Sequence, residues 1–382
     1  MHPLRKKFCK NPIIQNLSSV KIAVVCLALL FILTLWGTID QVSNGLYLAQ
    51  ARFFNSWAFT FWGFVPFPGA RLVLWVFFIN LVCAGIVRHV FRWSNAGIII
   101  THFGLLLFLV AAFVTYHGMQ ESNITLREGE GANVSTAYHN WEVSLWAQEG
   151  DQKNVVAFDA DQLKKGQKLN FDKFGISAVV EEYYRSCDAF RDSEAGGSEV
   201  PLNNAGIQSL KELPLDKEPQ NNYPGGIFQL DGIDQGKVEI LLYGAETDPL
   251  LITKNGKNYY VMLRRKRYPM PFTIELKDFT MERHPNTEMA RSYKSLVNVL
   301  SHGVSREVLI SMNEPLRHKN YTFYQASYSV DRSGYEHSTL AVVKNTGRLL
   351  PYIATFVTVA GLIVHLLLMA FGANIKKQRI AG

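Results

Sequence analysis

Residues 97–116 read GIIITHFGLLLFLVAAFVTY, an almost entirely apolar run that contains one histidine, His102. A helix needs about 20 mainly apolar residues to cross a bilayer, so this stretch predicts a membrane-spanning helix. Similar runs precede it at residues 22–39 and 72–87, and a fourth follows at residues 349–372. The sequence therefore predicts a membrane protein with four transmembrane helices, three N-terminal and one C-terminal.

Three regions follow from these helices. Residues 1–118 contain a basic N-terminus and the first three helices, and residues 347–382 contain the fourth helix and a basic tail. Between them, residues 119–346 hold short β-branched and aromatic runs separated by turn residues, which predicts a large, mostly β extracytoplasmic domain. Within it, residues 188–235 are rich in Gly, Asn, Pro and charge, and we predict a surface excursion with a short helix near Leu210.

Basic residues flank the predicted helices on one side. Because Lys and Arg accumulate in cytoplasmic loops, both termini and the loop between helices two and three are predicted to be cytoplasmic. The β domain then lies on the periplasmic side of an inner membrane. The net charge of +7 largely reflects this bias and gives no reason to expect nucleic acid binding. The flanking residues are Arg5, Lys6, Lys7, Lys10, Lys21, Arg88, Arg92, Lys376, Lys377 and Arg379.

The loop of residues 40–70 is rich in aromatic side chains, which favour the boundary between membrane and water. We predict a helix on the outer membrane surface, followed by a turn at Pro66, Pro68 and Gly69. Two roles stay open for this segment. It is either a lipid anchor without chemistry or a platform for a hydrophobic ligand.

Two histidines, His102 and His365, lie inside predicted helices, where ionisable groups are costly and mark candidate sites. At 1.5 Å per residue, they lie about 8 Å and 10 Å from the inner ends of their helices, hence at similar depths. Neutral imidazole is well suited to bind haem iron axially in apolar surroundings. For either residue, a histidine that only bonds a neighbouring helix is the alternative interpretation.

A seam of small residues ends at His365 on the fourth helix. Ala354, Thr358, Gly361 and His365 follow one another at spacings of four, three and four. Such seams allow helices to approach closely in membranes. His117, at the start of the outer domain, is expected to have an ordinary surface role.

Cysteine usage limits the chemistry of the outer domain. Of four cysteines only Cys187 falls there, so no disulfide can form within it. Nothing marks Cys187 as a thiol of low pKa, and we expect an inert thiol more than one that captures a substrate cysteine. No hydrolase or nucleotide-binding motif is found, which makes a self-sufficient enzyme an unattractive interpretation.

Short motifs occur along the chain in an order that is similar to one known family. The third helix carries the first of them, Ile100-Thr-His-Phe-Gly-Leu-Leu-Leu. The others are Leu126-Arg-Glu-Gly-Glu130, Phe272-Thr-Ile-Glu-Leu-Lys-Asp-Phe279, Glu282-Arg-His-Pro285, Ser292-Tyr-Lys-Ser295, Asn313-Glu-Pro-Leu316, Tyr321-Thr-Phe-Tyr-Gln-Ala-Ser-Tyr328 and Gly347-Arg-Leu-Leu-Pro-Tyr352. Together with the layout of helices, they resemble the ResB (CcsB) component of system II cytochrome c maturation.

This resemblance implies a role in haem delivery. The family works with a CcsA-type membrane subunit, moves haem outward and presents it for covalent attachment to CxxCH motifs of apocytochrome c. The tryptophan-rich haem-binding motif of CcsA is not found here. The chain thus resembles an unfused partner, a non-autonomous subunit of a cytochrome c synthase (haem lyase) complex.

The resemblance also assigns residues. The family's transmembrane haem ligand maps onto His102, whereas His365 rests on its depth alone. A transient b-type haem, shared with the partner subunit, is the implied cofactor, and its second axial ligand is either His365 or a partner histidine. A thioredoxin-like thiol reductant is a further candidate partner. The alternative function is a non-catalytic membrane scaffold whose outer β domain docks apocytochrome or thiol-redox partners.

Overall fold

The computed structural model describes residues 11–61, 63–88, 92–150, 152–191, 202–285, 287 and 290–381. Arg5, Lys6, Lys7 and Lys10 of the predicted basic N-terminus lie outside these residues. Four helices in the described part of the chain are long and apolar enough to cross a membrane. The prediction of three N-terminal helices and one C-terminal helix is therefore confirmed, and the chain is a multi-pass membrane protein. It divides into a helical unit, residues 1–120 with 344–382, and a β unit, residues 121–343.

The helical unit contains a short N-terminal helix, α1, and the membrane helices α2 to α5. α1 begins after Asn11, whose side chain accepts a hydrogen bond from the N–H of Ile13. α2 begins after Ser19, whose hydroxyl accepts one from the N–H of Lys21. Both caps satisfy amides that a helix start leaves unpaired. The bounds are α1 Pro12–Leu17, α2 Val20–Ala49, α3 Ala70–Val87, α4 Ala96–Gly118 and α5 Leu350–Ala381.

The aromatic segment after α2 differs from the predicted surface helix. α2 continues to Ala49 through a kink at Gly45, where φ is 76°, and a π-helical turn covers Gln50–Phe54. Strand β1 (Ala58–Phe61) then pairs antiparallel with β2 (Val65–Pro68). The expected turn at the two prolines is wrong, because both prolines lie in β2 and the chain turns at Gly63 and Phe64.

Alternation of aromatic residues explains why a hairpin forms here. Phe59, Phe61 and Phe67 lie on one face of the hairpin, since side chains alternate between the faces of a strand. Their rings pack against one another and around Phe53, at centroid separations of 4.9 to 6.2 Å. Phe53 is only 1% exposed, so these rings form a packed core beside α2 and α3.

The β unit contains two main sheets. One has four strands in the order β11-β10-β7-β6, and the other is a larger sheet in the order β15-β14-β13-β4-β3-β18-β17-β16, with β5 on β4 and β12 on β13. The strands are β3 Gln120–Arg127, β4 Gly131–Glu149, β5 Gln152–Asp159, β6 Lys168–Phe171, β7 Ile176–Tyr184, β8 Cys187–Phe190, β9 Ser209–Glu212, β10 Gly225–Ile233, β11 Gly236–Tyr243, β12 Leu250–Lys254, β13 Lys257–Arg283, β14 Ala290–Ser301, β15 Val304–Ser311, β16 Leu316–His318, β17 Tyr321–Val330 and β18 Glu336–Lys344.

Two hydrophobic cores stabilise the β unit, and the long strands β4 and β13 connect them. The first core contains Leu145 and Phe228, and the second contains Ile274 and Phe323. β13 contributes alternate residues to both, which is why its 27 residues form a single strand. The predicted mostly β domain is confirmed.

The predicted surface excursion at 188–235 differs from the structure in two places. The expected helix near Leu210 is wrong, because β8 and β9 form a hairpin there. Its last residues, β10, are a central strand of the four-stranded sheet with Phe228 and Leu230 fully buried. Gly226 is a packing position, since a Cβ there would lie 2.8 Å from the carbonyl oxygen of Glu182. Residues 192–201 lie outside the described residues.

Candidate functional site

The two membrane helices that carry the predicted histidines, α4 and α5, touch along glycine contacts. A Cβ placed on Gly97 would lie 2.5 Å from the Cα of His365, and one on Gly361 would lie 2.5 Å from the backbone nitrogen of Thr101. Such contacts require glycine, so the backbones meet directly, as the small-residue seam suggests. The facing pairs are Gly97 with His365, Thr101 with Gly361, and Gly104 with Thr358.

This register places the two predicted site histidines at different depths. His365 is level with Gly97, whereas His102 is five residues further along α4, or about 7.5 Å. The sequence estimate of similar depths counted from helix ends, but glycine contacts determine how the helices are aligned. Because the backbones meet, the space between α4 and α5 has no room for a planar macrocycle.

His102 also points away from α5. Five residues at 3.6 per turn rotate it by about 140° from Gly97 on the helix. Its Nδ1 lies 2.9 Å from the carbonyl oxygen of Ile98. A carbonyl only accepts, so Nδ1 donates its proton, and in the neutral ring Nε2 carries the lone pair that binds a metal. The hydrogen bond therefore fixes the tautomer in which Nδ1 carries the proton.

The face of α4 that carries His102 is turned towards α3. The rings of Trp75 on α3 and Phe113 on α4 are 5.8 Å apart, and this contact aligns the antiparallel helices. His102 lies eleven residues before Phe113 on α4, and Gly85 lies ten residues after Trp75 on α3. A Cβ on Gly85 would meet no atom within 4 Å beyond its own helix neighbourhood. Counted from the contact between Trp75 and Phe113 at 1.5 Å per residue, Gly85 and His102 lie at similar depths along α3 and α4, and Gly85 borders open space. We call the cleft between the two helices the α3–α4 groove.

The same groove opens into a cavity where α3 begins and α4 ends. We call it the aromatic pocket, and its volume is about 380 Å³. Arg71 and His117 are two of its polar lining residues. The guanidinium of Arg71 lies 5.0 Å from the ring centre of Trp57, and the ring of His117 lies 4.5 Å from that of Phe113. The lining residues are Phe54, Asn55, Arg71, Leu74, Trp75, Phe78, Leu109, Val110, Ala112, Phe113, Tyr116 and His117.

Sequence reasoning missed this pocket. It assigned His117 to the start of the outer domain, yet His117 lies in the last turn of α4. One pattern could have indicated it. Phe113 is eleven residues after His102, about three turns, so the two side chains share a helix face.

His365 lies at the contact between α4 and α5 in the described part of the chain. Its backbone packs against Gly97, and its Nδ1 is buried without a hydrogen-bond partner. An orphaned polar atom inside a helix pair is a cost that stability alone does not explain. The structure does not bring this imidazole to the face that carries His102.

Cys187, in the β unit, has the surroundings of an inert thiol. It is 3% exposed, and its Sγ lies 3.7 Å from the carbonyl oxygen of Tyr223. Burial, with a smaller contribution from the charge of Asp188, raises the pKa of Cys187 to about 12. The thiolate is the reactive form of cysteine, so this environment suppresses nucleophilic chemistry.

Alkylation tests this description of Cys187. At pH 7.5 its reaction with iodoacetamide is expected to be at least about a hundredfold slower in the folded protein than in urea, because burial disfavours the thiolate. Peptide-resolved mass spectrometry would follow Cys187 separately from the other cysteines. Equal rates in the folded and unfolded chains would contradict an inert thiol.

Comparison with known proteins adds the family. Residues 242–349 match the ResB-like family. Protein NrfI of Wolinella succinogenes is 32% identical over 101 residues, which cover 26% of this chain and 11% of that protein. Cytochrome c biogenesis protein CcsB from Prochlorococcus marinus strain NATL1A is 48% identical over 59 residues, or 15% of this chain and 14% of that protein. CcsB from strain NATL2A gives the same values.

The fold and the groove define a multi-pass membrane protein with a histidine-bearing cleft and a large β domain. The match of residues 242–349 to the ResB-like family supports the resemblance to the ResB (CcsB) component. The matched region contains the motifs from Phe272 to Tyr328 on which the sequence resemblance depended. The aligned segment is about an eighth of the length of each of these relatives.

Proposed function

We propose that this chain acts in cytochrome c biogenesis as a haem-handling membrane subunit. In this role it carries haem across the membrane and presents it for covalent attachment to the CxxCH motif of apocytochrome c. The observation that carries the proposal is the orientation of His102, whose Nδ1–H is held by the Ile98 carbonyl while the ring faces the α3–α4 groove. The name of the CcsB relatives, cytochrome c biogenesis proteins, supports the same role.

The residues around His102 suit a haem that is bound transiently. The haem is cargo, and its iron would accept Nε2 of His102 as one axial ligand. The carbonyl of Ile98 orients the imidazole, and the space at Gly85 accommodates the edge of a macrocycle. A neutral imidazole needs no charged partner in an apolar groove. His102 can therefore stay uncharged both before haem binds and after haem leaves.

The second axial ligand in this proposal comes from a CcsA-type partner. α5 occupies the opposite side of α4, and its His365 faces the glycine seam. A partner helix that covers the groove could supply a histidine across the macrocycle. The chain is then one half of a two-subunit site, and is not a complete synthase by itself.

A scaffold role for the β unit is the second candidate, and one observation favours it. β15 is the last strand of the larger sheet, and its side chains Val304 and Leu309 are 66% and 49% exposed. An edge strand of this kind can pair with an extended peptide. In a scaffold role, β15 would bind either an apocytochrome peptide or a thiol-redox partner.

Co-purification distinguishes the two functions. The chain co-expressed with its CcsA-type partner is expected to carry haem with a reduced b-type spectrum, and cells without the chain should fail to mature c-type cytochromes. A haem-free complex that still supports maturation would contradict haem handling and favour the scaffold.

We also propose that the termini are cytoplasmic and that the β domain lies on the periplasmic side of the inner membrane. Alkaline phosphatase is expected to be active when fused after Val180 and inactive when fused after Lys377, because basic residues cluster on the opposite side. Green fluorescent protein at the same two positions should give the reverse pattern. The inverse result with both reporters would refute this orientation.

A further inference from the structure

The aromatic pocket has a chemistry that an ordinary lipid-facing surface does not need. Its cavity is bordered by five aromatic side chains, Phe54, Trp75, Phe78, Phe113 and Tyr116. Arg71, near the start of α3, and His117, near the end of α4, are among its lining residues. In the described part of the chain Arg71 packs on Trp57 and forms no ion pair. The pocket therefore combines flat apolar walls, a cation without an acidic partner and an imidazole.

This combination complements a planar apolar molecule that carries carboxylates. Rings such as Trp75 and Phe113 offer flat contact surfaces to a macrocycle. A guanidinium binds carboxylates through paired hydrogen bonds, and an imidazole can bind a central metal. A volume of about 380 Å³ falls within the range of small-molecule sites.

The pocket lies in the same groove as His102. His117 is fifteen residues further along α4, or about 22 Å, so one haem cannot contact both histidines. Phe113 shares the face of His102, and Gly85 lies two turns after Phe78 on α3. A ligand that moved along the groove would leave one histidine and reach the other.

We propose that the aromatic pocket is a second binding site for a haem-type ligand, a tetrapyrrole with carboxylate side chains. Arg71 binds a carboxylate, the rings of Trp75 and Phe113 contact the macrocycle, and His117 binds the iron. This site rests on the proposed function, because it receives the ligand that His102 holds first. The chain then contains two stations for its cargo, at opposite ends of one groove.

Titration of the purified chain in phosphatidylcholine nanodiscs tests the second site. The wild-type chain is expected to bind two equivalents of ferric haem, and His102→Ala to bind one. In the His102→Ala background, Arg71→Gln should weaken haem binding about tenfold, as expected for a lost charge-assisted hydrogen bond. Arg71→Lys should restore part of the affinity. Arg88→Gln, at the other end of α3, is the matched control and should change nothing.

Iron-free protoporphyrin separates the roles of the two polar residues. Its fluorescence should report binding that Arg71→Gln weakens and His117→Ala leaves unchanged, whereas ferric haem should lose affinity and change its Soret band in both variants. A His102→Ala chain that binds no haem, or an Arg71→Gln chain with full affinity, would overturn the second site. If His102→Ala instead binds two equivalents with an unchanged spectrum, the proposed function itself fails at His102.

Anionic lipid is the competing occupant, and the same variants identify it. With phosphatidylglycerol in the nanodiscs, native mass spectrometry would detect a retained lipid. A lipid that depends on Arg71 and that haem does not displace would overturn the proposal. Displacement of that lipid by one haem equivalent would support it.

Discussion

Replacing His102 by alanine is expected to lower the affinity for haem at the His102 site of the complex with the CcsA-type partner more than about tenfold, and to abolish maturation of c-type cytochromes. Even residues that only support a metal ligand contribute about 10–100-fold to affinity, and loss of the ligand itself should exceed that. Pyridine haemochrome assays on the purified complex would measure the haem, and haem staining of membranes would measure the cytochromes.

His365→Ala is the matched control for this prediction. Both variants remove one imidazole from a membrane helix, but His365 faces the glycine seam. Its removal should leave the iron coordination spectrum unchanged. Added imidazole should partly restore haem to the His102→Ala complex, because it can occupy the vacated axial position. Full haem content in His102→Ala would exclude the assignment, and an altered spectrum in His365→Ala would make His365 the second ligand.

The helix layout and the seam were predictable because they depend on local composition. A run of apolar residues long enough to cross a bilayer identifies a membrane helix wherever it occurs. Small residues at spacings of four and three predict a close helix contact, and Gly361 indeed meets Thr101. The spacing of the small residues does not reveal which helix surface packs against them. In the structure this surface is the face of α4 that contains Gly97.

The relation between the two histidines was not predictable from helix ends. α5 continues to Ala381, beyond the predicted limit of residue 372, so counting from its end misplaced His365. Similarly, the aromatic segment depends on which rings surround Phe53, and that is a tertiary contact. β10 was hidden because Gly225 and Gly226 read as turn residues, although they lie where neighbouring atoms leave no space for a side chain.

The cleft itself could not be derived from one helix. Trp75 and Phe113 belong to different helices, and only their contact shows that Gly85 and His102 lie at similar depths. Gly104, two residues after His102, packs against Thr358, so it provides no space beside His102.

The same substitution at two glycines separates packing from binding. Gly361→Leu is expected to destabilise the membrane unit by about 3 kcal/mol or more, because its Cβ alone would lie 2.5 Å from the backbone nitrogen of Thr101 and backbone atoms cannot move aside. Gly85→Leu should leave stability nearly unchanged, since a Cβ there has open space. Its leucine should nevertheless fill the groove beside His102 and lower the haem content.

Thermal unfolding followed by size-exclusion chromatography, with haem measured on the surviving protein, gives both readouts. Equal stability of the two variants would contradict the glycine contact between α4 and α5, and a Gly85→Leu complex with full haem would exclude the α3–α4 groove as the haem site.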